Sequence, residues 1–208
     1  MNKHIRDLLI KGEDETLDFK QTISDAGKIA KTMVSFSNRS GGTLLIGVRD
    51  NKTIAGVRSE DEKYMIGLAA AFYSKPEITF EMREWVIEGK IVLECIIPEG
   101  KLKPYYAKGE DGKYWAYIRV KDKSLLASKI VLDVLKKQGS EEDNLITFTS
   151  KEKALLDYLK ENERITLNQY RKMLNISRRR ASQILVSLIT AGIIRAHTTE
   201  KTEFYTLS

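Results

Sequence analysis

Three acidic side chains in the first quarter of the chain have types and positions that suit metal-dependent chemistry. Glu13 precedes a short strand-like segment, Asp18 lies within it, and Asp50 follows a separate apolar strand. If those strands are neighbours, the carboxylates converge. Carboxylates that share a site can hold Mg²⁺ or Mn²⁺, and the ion can activate water against a phosphodiester. One hypothesis is therefore a divalent-metal site at these residues; the alternative is that they are capping and surface acids.

A run of arginines, Arg178, Arg179 and Arg180, begins a helical pattern that Ser177 would cap. In a helix-turn-helix the second helix enters the major groove of DNA with its N-terminus first. Positive side chains in that turn oppose the helix dipole, so folding gives no reason for them, whereas contact with phosphates or guanine edges does. Gln183 lies on the same side of the helix and could contact a base. Flanking phosphates could be bound by further basic residues: Arg171, Lys172 and Lys201.

Residues 101–108 interleave lysines with aromatic residues. A tyrosine can stack on an unpaired base while neighbouring lysines bind the phosphate backbone. On this pattern Tyr105 or Tyr106 is a candidate for stacking, and Lys103 and Lys108 are candidates for phosphate contact. Tyrosine-rich strands are also common in ordinary sheets, which is the structural alternative.

The positive charge is concentrated near the C-terminus. The formal net charge of the 208 residues is +6 at pH 7, and residues 148–208 hold 11 Lys and Arg against 6 Asp and Glu, which gives +5. Such asymmetry favours an anionic partner for this part of the chain. A solvated basic surface is the alternative.

Other features of the composition narrow the class of protein. An apolar content of 42% is sufficient for packed cores. The sequence has no run of about 18 apolar residues, so no membrane span is expected. Cys95 is the single cysteine; it excludes an intramolecular disulfide, fits a reduced cytoplasmic compartment and is expected to fill the core.

A polar segment divides the chain. Residues 138–144 lack apolar periodicity and follow a helix-like stretch over 127–137, which is typical of a linker. We therefore expect an N-terminal domain over residues 1–138, a linker over 139–147 and a C-terminal domain over 148–208.

The two parts differ in their patterns. The first mixes helices, expected over 1–9, 25–39 and 59–73, with strands that follow one another late in the domain; the class is α+β or mixed α/β with a mixed sheet. The second has three helical segments followed by an alternating hairpin over 193–207. Three helices and a hairpin predict a winged helix-turn-helix.

The order of motifs in the first part resembles a known family. An acidic strand is followed by a helix, the Gly41-Gly42 strand, a turn and an Ile54-x-Gly56 element. This order resembles the AlbA-like domain of Schlafen proteins and of bacterial regulators, over about residues 5–130. The resemblance implies nucleic-acid binding, with Arg119 of the closing strand facing a groove. Some relatives are RNases, and their acidic trio would fall on Glu13, Asp18 and Asp50, with Asp18 in place of the commoner glutamate.

These observations favour a cytoplasmic DNA-binding transcriptional regulator that uses its winged helix, with DNA preferred over RNA and a homodimer expected from operator symmetry. One alternative is a ribonuclease that uses Mg²⁺ or Mn²⁺ at the acidic trio. The other is an adaptor whose two domains bind protein. ATP is not expected as a cofactor, because no Gly-x-x-x-x-Gly-Lys-Ser/Thr loop is present.

Overall fold

The protein is represented by a computed structural model that describes residues 2–57, 60–140 and 148–208. The chain forms two compact units, Met1–Ala127 and Ser128–Ser208. The mixed α+β class expected from the sequence is confirmed. In the described residues, no helix is long and apolar enough to cross a membrane.

The first unit contains three helices and nine strands among its described residues. The helices are α1 (Lys3–Lys11), α2 (Ala26–Ser37) and α3 (Asp61–Ala71). The strands are β1 (Leu17–Lys20), β2 (Gly42–Ile46), β3 (Ser74–Lys75), β4 (Glu81–Ile87), β5 (Lys90–Ile97), β6 (Tyr106–Lys108), β7 (Tyr114–Trp115), β8 (Tyr117–Val120) and β9 (Lys123–Leu126).

A four-stranded sheet in the order β1-β2-β5-β4 forms the centre of this unit. β1 is parallel to β2, and the remaining pairs are antiparallel. Alternation along β2 sends Leu44 and Ile46 into one apolar cluster with α2 and α3, and Leu45 into another with α1. The sheet is therefore covered by helices on both faces, which explains why Leu44, Leu45 and Ile46 are consecutive apolar residues.

Gly41 and Gly42 allow the close approach that starts β2. Gly41 has a φ of +77°, and a Cβ there would lie 2.6 Å from the Ile97 carbonyl oxygen. At Gly42 a Cβ would lie 2.5 Å from the ring of Phe36 in α2. The glycine pair thus fits β2 between α2 and β5 and has an architectural role.

The late strands of the unit fall into two small sheets. Residues 113–120 form two strands, β7 and β8, separated at buried Ala116. β7 joins β6 and β3 in a three-stranded sheet, whereas β8 pairs with β9. The change of partner at Ala116 explains the interruption.

The second unit is a winged helix preceded by one more helix. Its elements are α4 (Lys129–Gln138), α5 (Ser150–Glu161), α6 (Leu167–Met173), α7 (Arg178–Thr190), β10 (Ile194–Thr198) and β11 (Glu203–Leu207). β10 and β11 form the wing, and a bridge between Ile165 and Tyr205 extends it.

Helix α4 belongs to the second unit. Its Ile130 and Val134 lie in one apolar cluster with α5, α6 and α7. The division therefore falls between Ala127 and Ser128, ahead of residue 138, where a boundary was expected from composition. Most of the expected linker, residues 141–147, lies outside the described residues.

Candidate nucleic-acid interface

A tight turn sets the N-terminus of α7 on the surface of the second unit. Helix α6 begins with a capping box between Thr166 and Gln169. After α6, Asn175 adopts a φ of +50°, and Ser177 Oγ accepts a hydrogen bond from Arg180 N at 3.2 Å. The second helix of the motif thus begins where the arginine run begins.

The arginines at this terminus are exposed, as is Gln183 one turn later. Arg180 Nη2 lies 4.0 Å from Glu152 Oε1, so the charge of Arg180 is partly balanced by this carboxylate. Arg178 and Arg179 form no ion pair with any residue that the structure describes. The first turn of α7 therefore presents cationic side chains to solvent at the end of the helix where they are least favoured by the dipole. Their contact with nucleic acid remains a prediction.

Glu152 of α5 is a buried acid that lies beside the arginine run. Burial opposes its ionisation, but hydrogen bonds from the Thr149 side chain and from backbone amides, together with the Arg180 charge, lower its pKa. The carboxylate is therefore ionised near neutral pH and keeps Arg180 close to α5.

Helix α4 packs against part of α7, a contact that no local sequence pattern indicates. The core face of α7 carries Ala181, Ile184, Leu185 and Leu188. At 3.6 residues per turn, Gln183 and Val186 point outward from that face. Gln183 is exposed, but Val186 is only 5% exposed and joins the cluster that contains Ile130 of α4. Helix α4 thus covers the C-terminal half of the outward face and leaves the N-terminal half open.

A groove of about 860 Å³ runs between α4 and α7. Lys129 and Lys137 line its α4 side, with Asp133 between them. Lys137 Nζ also donates to Ser187 Oγ of α7 at 3.4 Å. The apolar spacing of Ile130 and Val134 is the sequence signal that marks α4 as amphipathic, but it does not identify α7 as the partner.

The remaining basic residues of the second unit are also accessible. Arg171 and Lys172 are exposed in the last turn of α6, and Lys201 is exposed between the two strands of the wing. Their exposure leaves all three side chains accessible to solvent, and phosphate binding by them stays a prediction.

The acidic residues of the first unit are engaged with protein groups. Asp18 is 3% exposed; its Oδ1 accepts from Arg119 Nη2 at 2.7 Å, and Lys20 Nζ lies 2.5 Å from Oδ2. Glu13 Oε1 accepts from Phe19 N at 2.8 Å. Burial raises the pKa of Glu13 more than this hydrogen bond lowers it, and the Asp18 charge raises it further.

Asp50 lies apart, exposed in the turn that Arg49 and Lys52 close through a backbone hydrogen bond. Among the described residues, no group of three His, Cys, Asp or Glu side chains is placed to hold a metal ion. The convergence expected of Glu13, Asp18 and Asp50 is thus not formed. The donor set does not fit Mg²⁺ or Mn²⁺, because Asp18 is already neutralised by two cations.

Arg119 requires a correction, since it was expected to face a groove. Its side chain is 2% exposed. Besides Asp18, it donates to the Asp14 and Leu17 carbonyl oxygens, and its guanidinium lies 5.1 Å from the Phe36 ring centroid. The residue joins β8 to β1 in the interior and is inaccessible to a ligand.

Lys103 and Tyr105 are likewise engaged in the fold. Tyr105 is 8% exposed, and its backbone N and O both bond the Asn38 side chain. Lys103 Nζ contacts Glu99 Oε1 at 2.6 Å and the Arg39 carbonyl oxygen. The structure therefore does not support stacking by Tyr105, whose side chain is buried, or phosphate binding by Lys103, whose ammonium is engaged with Glu99 and Arg39.

Comparison with known proteins agrees with the two-domain description. Residues 13–128, more than half of the chain, match the family model described as Schlafen, AlbA_2. Residues 157–188 match the model described as the winged helix of elongation factor SelB. No curated protein sequence matches the chain significantly.

The solved structures that are similar to parts of the chain include the following two. One is the DIP2311 protein from Corynebacterium diphtheriae, at 16% identity and a TM-score of 0.48, covering 76% of this chain and 32% of that one. The other is the N-terminal domain of a RecG-related protein from Nitrosomonas europaea, at 22% identity and a TM-score of 0.42, covering 72% and 97%. The chain thus spans about a third of the length of the Corynebacterium protein.

Proposed function

This chain belongs to the Schlafen AlbA_2 family, and we propose that it is a DNA-binding transcriptional regulator whose winged helix contacts duplex DNA. An AlbA-like domain joined to a winged helix favours a nucleic-acid partner. The regulator acts in the cytoplasm, in line with its single, buried cysteine, and binds DNA as a homodimer.

One observation carries the proposal: Arg178 and Arg179 are exposed in the first turn of α7 and form no ion pair with a described residue. That turn is the part of the motif that enters the major groove first. Because α4 covers the outward face only from Val186 onward, Gln183 remains open beside the arginines. Phosphate contacts from Lys201 and α6 would flank the docked helix.

The test is the affinity for a duplex of about 30 base pairs, measured by fluorescence anisotropy. Replacing Arg178 and Arg179 by Ala should weaken binding about tenfold or more. The matched control replaces Lys153 and Lys160 of α5 by Ala, which removes the same charge from another helix and should leave affinity near wild type. Equal affinity of all three proteins would overturn the assignment to α7.

The regulatory part of the proposal needs sequence preference. Selection from a random duplex pool should enrich one motif with two-fold symmetry, since a symmetric operator mirrors a dimer. Failure to enrich any motif would contradict a role at specific operators, even where duplex affinity is high.

A further inference from the structure

The three-stranded sheet of the first unit has one face that carries lysines and tyrosines alone. Lys75 of β3 pairs with Tyr106 of β6, and Lys108 of β6 pairs with Tyr114 of β7. Tyr106 and Lys108 are two residues apart, so they lie on the same face of β6, and their cross-strand partners share it. We call these four residues the Lys–Tyr face. Ala107, between them, is buried on the opposite face.

The two lysines and Tyr114 of the Lys–Tyr face are exposed, and Tyr106 is half-buried. Tyr114 is 40% exposed, and Lys75 Nζ lies 5.9 Å from its ring centroid. Neither Lys75 nor Lys108 is ion-paired with any residue in the described part of the chain. The adjacent turn holds two acids. Glu110 is exposed, whereas Asp111 accepts hydrogen bonds from Lys113 N and Trp115 Nε1, and its pKa is lowered chiefly by the first of these.

We propose that the Lys–Tyr face is a second nucleic-acid site, which binds single-stranded DNA. Tyr106 and Tyr114 occupy diagonal positions on neighbouring strands, a separation of about 7–8 Å, so each ring can receive one unpaired base. Lys75 and Lys108 stand beside the rings, where they neutralise the intervening phosphates. The choice of DNA rests on the proposed function, which brings a duplex to the winged helix of the same chain.

Tyr105, which precedes Tyr106 in the chain, has a structural role and is not part of the Lys–Tyr face. Tyr105 lies in the core and its backbone is bonded to Asn38. Tyr106, the next residue, is turned outward by the alternation of the strand and pairs with an exposed lysine. The surface residues of this sheet are thus the ones that combine tyrosine rings with lysines that form no ion pair with a described residue.

The experiment measures binding of the full chain to a labelled oligothymidine of about 15 nucleotides, to the matching oligouridine, and to a duplex. Tyr114→Ser should weaken oligothymidine binding about tenfold, and Tyr114→Phe should retain it. Lys75→Ala with Lys108→Ala should also weaken it. The controls are Tyr64→Ser, an exposed tyrosine of α3, and Lys3→Ala with Lys28→Ala, exposed lysines elsewhere in the unit.

Two further ligands, an abasic strand and the duplex, distinguish loss of base stacking from a general loss of binding. On an abasic strand of the same length, Tyr114→Ser should bind as wild type does, because no base remains to stack. Duplex binding should be unchanged in all variants of the Lys–Tyr face. Wild-type protein that binds oligothymidine but not the duplex would contradict the proposed function and not this site. Oligothymidine affinity that is absent, or equal in every variant, would overturn the site. Tighter binding of oligouridine through the same residues would overturn the assignment to DNA.

Discussion

Arg119 Nη2 lies 2.7 Å from Asp18 Oδ1 in the interior of the first unit, and both side chains are almost fully withdrawn from water. The pair joins β8 to the parallel edge strand β1, with the Phe36 ring against the guanidinium. Asp18 and Arg119, whose types suggested a role in metal or nucleic-acid binding, thus have a structural role. The basic surface of the second unit is then the main candidate for nucleic-acid contact.

Breaking this pair should be costly. Arg119→Ala should lower the free energy of unfolding by about 3–5 kcal/mol, because it leaves the Asp18 carboxylate buried and poorly compensated. Urea denaturation measures the change. Asp18→Asn with Arg119→Met should cost less than Arg119→Ala alone, since neither charge then remains. A loss below about 1 kcal/mol for Arg119→Ala would contradict a structural role for the pair.

Arg119 illustrates why a sequence predicts some side-chain positions and not others. The strand around Arg119 and its alternation could be predicted, but its inward side chain depends on Asp18, about a hundred positions earlier. Likewise, the amphipathic pattern of α4 predicts a helix without naming α7 as its partner. Elements whose signals are local, such as β2, α2 and the winged helix, were predictable. The position of Asp50 was not, because it depends on the turn that closes at Lys52.

The raised pKa of Glu13 predicts a dependence of stability on pH. A carboxyl whose folded-state pKa lies above its ordinary value of 4.5 is held more favourably when protonated, so ionisation costs stability as pH rises through the folded pKa. Glu13→Gln cannot ionise and keeps an oxygen for Phe19 N. Its stability relative to wild type should therefore increase as pH rises above about 4.5 and level off once the pH exceeds the folded-state pKa of Glu13.

Urea denaturation at a series of pH values measures this difference. A relative stability of Glu13→Gln that stays constant or falls over that interval would contradict the raised pKa.

Cys95 should be unreactive in the folded protein. Burial, with a contribution from the Glu94 charge, raises its pKa to about 12, so only about 10⁻⁴ of the thiol is ionised near pH 8. A chromogenic disulfide reagent should label it in urea but not in native buffer. Rapid stoichiometric labelling of the native protein would contradict its burial.

Helix α4 should stabilise the winged helix. A chain of residues 128–208 retains the packing of Ile130 and Val134 against the second core, whereas a chain of residues 148–208 lacks it. Burial of those side chains should make the longer chain more stable by at least about 2 kcal/mol. Thermal or urea unfolding compares them, and equal stability would place the domain boundary after α4.

The dependence of duplex affinity on salt tests the role of α7 most directly. Between about 50 and about 300 mM KCl, the slope of log affinity against log salt reports the phosphates neutralised. Replacing Arg178 and Arg179 by Ala should reduce its magnitude by about 1.8, while the Lys153 and Lys160 control keeps the wild-type slope. A wild-type slope in the arginine variant, or duplex affinity independent of salt, would contradict the proposal that α7 binds DNA.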